Sequence, residues 1–290
     1  MNRKDLLGLR GVPKADIVEI LDTAARFRNV SERRIKKVPT LRGRTVVTLF
    51  MENSTRTRLS FDLAAKRLSA DTLNFSASSS ATKKGETLMD TARNIDAMKP
   101  DAIIIRHSAG GSPHMLAKAF PWSVLNAGDG INEHPSQALL DLLTMRDHLG
   151  TLEGKTVAIV GDVYHSRVAR SNIYGLTPMG AKVLVAGPGT MCPPSLAKLG
   201  VEVRHGIDDV VENADVIMML RIQRERLQPG MMSTVNEYSH FYGLDLDRLR
   251  RARPDALVMH PGPINRGVEM TPEVADGEQS VILEQVTNGV

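Results

Sequence analysis

The sequence holds one cysteine, Cys192, among 290 residues, which rules out a disulfide within the chain and any cysteine-based metal cluster. Aromatic residues make up only 4%, and no apolar run approaches the roughly 20 residues of a membrane span. After Met1-Asn2-Arg3-Lys4-Asp5, the apolar Leu6–Leu9 meets charge again at Arg10, too soon for the core of a signal peptide. His107, His114 and His134 lack helical i,i+4 pairing and a carboxylate cluster, so no metal set is legible. The G-x-G-x-x-G turn of dinucleotide-binding folds is missing, and so is any credible Ser-His-Asp arrangement. Lys+Arg 37 against Asp+Glu 33 leaves +4, with a pI of about 9.2. Those basic residues are spread along the chain rather than gathered in a dense run with interleaved aromatics. The absences point to a soluble cytoplasmic protein with no cofactor, no metal, no nucleic acid and no membrane, whose modest basic excess suits small anions.

What is present fits a globular α/β protein. Hydrophobic residues at 42% and charged residues at 24% exclude disorder, and the length accommodates two domains of roughly 100–200 residues each. Thr45–Phe50, Ala102–Arg106, Ser123–Asn126, Thr156–Gly161, Lys182–Ala186, Val201–Arg204, Val216–Leu220 and Ala256–Met259 read as strands. Helical periodicity covers residues 13–29, Thr57–Leu68 (Leu59, Leu63, Ala64 and Leu68 inward), Glu133–Leu149, Val168–Leu176 and Ile207–Asn213. Such alternation predicts two doubly wound parallel-sheet domains of similar size. Gly150-Thr151-Leu152-Glu153-Gly154 marks the boundary, giving domains over 1–149 and 150–284. Ligands of such folds gather beyond the carboxyl ends of strands, here expected in the interdomain crevice.

Polar clusters follow several of these strands. Ser54-Thr55-Arg56-Thr57-Arg58 opens a helix; hydroxyls there can cap free N–H groups, and the helix start with two arginines makes a phosphate cradle without the glycines of a P-loop. The same residues also read as a well-capped helix with surface arginines. Ser80-Ala81-Thr82-Lys83-Lys84-Gly85 reads as a solvated surface loop or as a loop that closes over an anion. Arg106 ends a strand, and His134 and Gln137 lie three apart at a helix start where Pro135 fits the first turn. Arg167 follows the Gly161 turn, Arg221 and Gln223 follow the VIMML strand, and His260-Pro261-Gly262-Pro263 follows the ALVM strand. Arg56, Lys84, Arg106, Arg167 and Arg221 together suit substrates rich in negative charge. With no covalent nucleophile in evidence, the chemistry would rest on positioning and electrostatic stabilisation.

Taken in order, Phe50–Phe61 (FMENSTRTRLSF), Lys83–Leu88 (KKGETL), His134–Gln137 (HPSQ), Arg221–Glu225 (RIQRE) and His260–Pro263 (HPGP) resemble the catalytic chains of aspartate transcarbamoylases over almost the whole length. The resemblance implies transfer of a carbamoyl group from carbamoyl phosphate to L-aspartate, a step toward pyrimidines. It implies that Ser54, Thr55, Arg56 and Thr57 hold the phosphate, and that Thr57, Arg106 and His134 act catalytically on the carbamoyl carbonyl. Gln137 and the carbonyls of Gly262 and Pro263 would orient the carbamoyl NH2, while Lys84, Arg167, Arg221 and Gln223 would bind aspartate. Ser80 and Lys84 would come from a neighbouring subunit, so a homotrimer with shared active sites is implied, with room for a regulatory chain or a dihydroorotase as a further partner. The Gly262–Pro263 bond is expected to be cis, and residues 285–290 to start a C-terminal helix, truncated or not included in the sequence, that returns to the first domain. Three other readings carry different signatures. An ornithine-type carbamoyltransferase would not show Arg221-Ile222-Gln223, a silent scaffold paralogue would have lost the motifs above, and a nucleotide-binding module would show the glycine fingerprint.

Overall fold

The computed structural model describes residues 3–76, 86–223, 230, 232 and 234–290. Two compact units divide the chain, one of residues Met1–Leu139 with Gly289–Val290, the other of Leu140–Asn288. The division falls inside a helix, about ten residues before the Gly150 boundary expected from composition. Among the described residues no helix is long and apolar enough to cross a membrane.

In the first unit, helix α1 (Lys14–Glu32) buries Ile17, Leu21 and Val30. It precedes a parallel sheet of β1 (Thr45–Phe50), β2 (Asp71–Ser76), β3 (Ala102–His107) and β4 (Ser123–Asp129), in the order β2-β1-β3-β4. Helices α2 (Thr55–Arg67), α3 (Leu88–Asp96) and α4 (Ser112–Ala119) make the connections. Continuous apolar runs such as Ala102–Ile105 suit strands covered on both faces. Alternate residues of β1 therefore feed separate cores: Val47 and Leu49 pack with Ile95, Ile103 and Leu116, whereas Val46 and Phe50 pack with Ala65 and Ile104.

Two sequence expectations change here. The expected inward face of α2 is wrong: Leu59 and Leu63 are 57% and 40% exposed, because Phe61 and Ala65, one turn apart, meet the sheet instead. Strand β2 escaped the periodicity reading since Asp71, Thr72 and Asn74 make it look like a loop; as an edge strand it needs fewer apolar residues.

The second unit holds β5 (Thr156–Val160), β6 (Lys182–Ala186), β7 (Glu202–Arg204), β8 (Val216–Met219) and β9 (Leu257–Met259), all parallel, in the order β7-β6-β5-β8-β9. Helix α5 (Pro135–Leu149) leads into it, and α6 (Arg167–Leu176), α7 (Asp208–Val211), α8 (Val235–Tyr242), α9 (Leu246–Leu249), α10 (Pro272–Ala275) and α11 (Ile282–Asn288) complete it. One core joins Ala158, Val160, Ile217, Met219 and Val258 to Val210, Leu249, Val274 and Ile282. Residues 285–288 thus belong to a helix that begins at Ile282.

Carboxylates tie down the strand ends. At the amino edges, Asp101 Oδ2 accepts the Thr45 amide at 2.8 Å while its Oδ1 meets Arg44 at 2.6 Å, and Asp215 Oδ2 accepts the Thr156 amide at 2.8 Å. At the carboxyl edge of β4, fully buried Asp129 accepts from the Gly111 amide (2.7 Å), Asn132 Nδ2 (3.0 Å), Asn126 Nδ2 (2.8 Å) and the Glu133 amide (3.1 Å). Glu133 in turn accepts the Leu9 amide at 2.7 Å and the Arg10 amide at 3.3 Å. A Cβ at Gly8 would overlap the Glu133 carboxylate, so a side chain there would have to displace a group that the Leu9 and Arg10 amides hold.

Two measurable consequences arise. The Thr45 amide first, then Arg44, holds the Asp101 carboxyl below its ordinary 3.8. The stability it contributes is therefore present above that value and lost as the pH falls through the lowered one. Asp101→Asn should flatten the fall of Tm below about pH 4; an unchanged slope would show that Asp101 carries none of it. Asp129→Ala should destabilise the chain by about 3 kcal/mol or more in urea unfolding, since stranded buried donors cost about 1–3 kcal/mol each.

Candidate active site

The first unit places one group of expected residues at the carboxyl edge of its sheet. β1 ends at Phe50, and Ser54 is the N-cap of α2. The Ser54 backbone is extended (φ −161°, ψ 97°), but its hydroxyl makes no cap hydrogen bond, contrary to the expected capping role. The first-turn N–H groups of a helix have no intrahelical acceptor, and Thr55, Arg56 and Thr57 occupy this turn. β3 pairs with β1 in a register that sets Arg106 beside Phe50. The Arg106 side chain is 12% exposed, its Nε 3.3 Å from Glu52 Oε2, and its guanidinium donates to the Ala127 carbonyl at 3.1 Å. An acidic neighbour and a backbone acceptor hold the fork in one orientation.

His134 follows the Asp129 loop and is 5% exposed, its Nδ1 3.3 Å from Ser136 Oγ. Pro135 is the first residue of α5, the place where a missing N–H costs least. The Gln137 amide donates to the His134 carbonyl at 3.1 Å, so both residues share the first turn of the helix. His107, at the end of β3, is held below its ordinary value by burial; its Nδ1 accepts the Ala109 amide at 2.9 Å. That ring is occupied in shaping the loop toward α4.

The second unit places another group at the carboxyl edge of its own sheet, on the adjacent strands β5, β8 and β9. After β5 the chain turns at Gly161, whose φ of +129° and close approach to Leu220 favour glycine. Ser166 caps α6 by accepting the Ala169 amide at 3.1 Å, and Arg167 is the first helical residue, 6% exposed. After β8 come Arg221, Ile222 and Gln223, with Ile222 fully buried and its flanking residues half-buried. The Ile222 amide donates to Glu269 Oε1 at 2.8 Å, and Asn265 Nδ2 donates to the Ile222 carbonyl at 3.1 Å.

After β9, the Gly262 amide donates to His260 Nδ1 at 2.7 Å, Gly262 takes φ +61°, and the Gly262–Pro263 bond is cis. Glu269 binds this loop to the preceding one, accepting the Asn265 amide at 2.8 Å and Asn265 Nδ2 at 2.6 Å. Burial pushes the Glu269 carboxyl up, against the Ile222 and Asn265 donors that pull it down. Cys192 is buried, and its thiol is pushed up to about 12 chiefly by that burial, which makes it unreactive.

Each sheet edge thus gathers the motif residues that the sequence scatters: Ser54–Thr57, Arg106, His134 and Gln137 in the first unit, Arg167, Arg221, Gln223, Gly262 and Pro263 in the second. Ser80 and Lys84 lie outside the described residues. The sequence reading gave no role to Glu52, Asp129, Glu133 and Glu269, which hold the loops. For Glu52, Asp129 and Glu133 the signal was a carboxylate within a few residues of a buried strand, a position where an unpaired charge is not tolerated; Glu269, ten residues past β9, carried none.

Comparison with known proteins divides along the same lines. Residues 4–147 match the family described as "Aspartate/ornithine carbamoyltransferase, carbamoyl-P binding domain", and residues 153–290 match its "Asp/Orn binding domain". The aspartate carbamoyltransferase catalytic subunit of Syntrophotalea carbinolica is 61% identical over 289 residues, 100% of this chain and 92% of that protein. The corresponding subunit of Geobacter sulfurreducens is 59% identical over 99% of this chain and 93% of its own. Among solved structures, aspartate transcarbamoylase from Trypanosoma cruzi in complex with carbamoyl phosphate and aspartate superposes with a TM-score of 0.87 at 29% identity, covering 99% of this chain and 93% of that one. Ornithine carbamoyltransferase from Pyrococcus furiosus gives 0.86 at 31% identity, again over 99% and 93%. Two parallel-sheet units with cations at their carboxyl edges, matched end to end by both domain models, make this chain a member of the aspartate/ornithine carbamoyltransferase family.

Proposed function

We propose that this chain is an aspartate carbamoyltransferase catalytic chain, transferring the carbamoyl group of carbamoyl phosphate to L-aspartate and releasing N-carbamoyl-L-aspartate and phosphate. The observation that carries the reading is the division of labour between the two sheet edges. One presents a hydroxyl- and arginine-bearing helix start that suits a phosphate, the other a buried Arg167 with Arg221 and Gln223, which suit carboxylates. Arg221-Ile222-Gln223 favours aspartate over ornithine, and the curated relatives at 61% and 59% identity carry the aspartate enzyme's name.

In this reading Ser54, Thr55, Arg56 and Thr57 hold the phosphate. Thr57, Arg106 and His134 donate to the carbamoyl carbonyl oxygen, and Gln137 with the carbonyls of Gly262 and Pro263 fixes the NH2 group. Arg167, Arg221 and Gln223 grip the two carboxylates of aspartate, joined by Lys84. The neutral amine of aspartate attacks the carbonyl carbon, forming the C–N bond while the C=O pair moves onto oxygen. Donors aimed at that oxygen act where charge develops; removing one such donor costs about 10²–10³ in rate. Collapse breaks the C–O bond to phosphate, which departs with the proton the amine gives up. Holding two anions together against their repulsion requires several cations around them, which accounts for arginines at both edges.

The same reading assigns Ser80 and Lys84 to the active site of a neighbouring subunit, hence a homotrimer, and places the enzyme in the cytoplasm at an early step of pyrimidine synthesis. A regulatory chain or a dihydroorotase would be an additional partner of that assembly.

The deciding experiment supplies carbamoyl phosphate with L-aspartate and with L-ornithine in parallel and measures the ureido product. Product from aspartate alone is expected; product from ornithine would overturn the reading of Arg221 and Gln223. Arg56→Ala should lower kcat/KM for carbamoyl phosphate by about 10²-fold or more. Arg56→Ala and Lys84→Ala proteins, each inactive alone, should regain activity on mixing, because some interfaces then combine two intact halves; no recovery despite verified subunit exchange would contradict a shared site.

A further inference from the structure

Asp141 sits in the middle of α5 among Leu139, Leu142, Leu143 and Met145, and it is fully buried. A carboxylate in such a setting is costly unless donors surround it. Its two oxygens take amides from two other helices: Asn172 Nδ2 of α6 donates to Oδ2 at 2.7 Å, and Gln285 Nε2 of α11 donates to Oδ1 at 2.7 Å. Gln285, itself 3% exposed, uses its other end on the loop after β9, where Oε1 accepts the His260 amide at 3.0 Å. The orientation of the Gln285 amide follows from its partners, since an ionised carboxylate only accepts and a backbone N–H only donates.

This buried relay reaches three elements that carry site residues. Gln137 lies four residues before Asp141 on α5, Arg167 opens the helix that carries Asn172, and His260 leads directly into Gly262 and Pro263. Docking of α11 on α5 has other means, through the His148–Glu284 pair at 2.7 Å and Asn288 Nδ2 to Thr144 Oγ1 at 2.9 Å. For docking alone, apolar residues at 141 and 285 would serve as well as a buried carboxylate and amide. What the polar pair adds is direction: it fixes one position of the His260 amide relative to α5 and α6.

We propose that Asp141 and Gln285 are positioning residues for carbamoyl transfer, setting the His260–Pro263 loop so that its carbonyls meet the carbamoyl NH2. This rests on the role given above to Gly262 and Pro263. The test exploits the polarity of the central hydrogen bond. Gln285→Glu sets two carboxylates against each other, and only a shared proton restores a donor between them. Combining Asp141→Asn with Gln285→Glu reverses the bond while keeping the partners named above: the oxygen of the new amide still accepts from Asn172, its nitrogen donates to the new carboxylate, and that carboxylate still accepts the His260 amide.

A misplacement of about 1 Å can cost 10²-fold in rate, so Gln285→Glu should lower kcat about tenfold or more near pH 8, recovering relative to wild type toward about pH 6. The double variant should return kcat to within about threefold of wild type. Asn288→Ala, which loosens α11 on α5 beside the relay, should lower Tm and leave kcat unchanged. The proposal is overturned by wild-type kcat in Gln285→Glu, by a double variant as impaired as the single one or unable to fold, or by an equal loss of kcat in Asn288→Ala. If Gln285→Glu does not fold, the double variant decides alone. Should the wild-type chain make no carbamoyl aspartate, the functional reading fails first. The relay is then tested by the NMR shift of the His260 amide, which must move in Gln285→Glu and return in the double variant; a shift that stays put overturns it.

Discussion

A parallel sheet delivers all its strands to one edge, and the loops beyond that edge have no ladder to hold them. This constraint shapes both units, because Ser54–Thr57, Arg106, His134, Arg167, Arg221 and Gly262 all stand at a strand's carboxyl end, on the loop beyond it or on the helix start that follows. Fixing a residue's backbone costs about 1–2 kcal/mol in conformational entropy, while a hydrogen bond to a charged group returns about 1.5–3 kcal/mol. A buried carboxylate that accepts several N–H groups therefore offsets the immobilisation of the residues around it. Asp129 does so for the loop before His134, and Glu269 does so for Ile222 and Asn265 together.

The same arrangement answers an electrostatic difficulty. Arginines at one sheet edge repel each other, and the repulsion is least screened where water is excluded. The acidic residues lie beside or behind them: Glu52 at 3.3 Å from Arg106, Glu269 on the backbone between Arg221 and Gln223. Because Glu269 is buried, its ionised form is disfavoured, and the donors from Ile222 and Asn265 work against that tendency. Loop geometry and carboxylate ionisation are thus coupled at this position: each stabilises the other.

Much of this was legible in the residues. Apolar runs such as Thr45–Phe50, Ala102–Ile105 and Thr156–Val160 announce buried parallel strands, because few other settings accept β-branched residues on both faces. Motif residues such as Arg106, Arg221 and His260 stand at strand ends, so the topology of each sheet brings its own set to one edge. Periodicity failed where burial is partial. β2 carries Asp71 and Asn74 because one side of it is an edge, and α2 turns Phe61 and Ala65 toward the sheet while Leu59 and Leu63 stay exposed. It also failed on the supporting polar residues. Asp141 within Ala-Leu-Leu-Asp-Leu-Leu looks like a defect in an apolar stripe until its amide partners, 31 and 144 residues away in sequence, are seen. No local pattern encodes partners at such separations.

Gly8 shows how far the support extends from the chemistry. The N-terminal segment pairs Leu6 with Leu125 of β4, and Asn126 Nδ2 donates to the Leu7 carbonyl at 2.8 Å. Leu9 and Arg10 then close over the Glu133 carboxylate, which a Cβ at residue 8 would displace. Glu133 is covalently next to His134, so the segment that ends at Arg10 limits the freedom of a side chain more than 120 residues away in sequence. A surface reading would treat residues 5–12 as a leader to the first helix. Their hydrogen bonds make them part of the floor on which His134 stands, and loss of that floor would weaken folding through the same contacts.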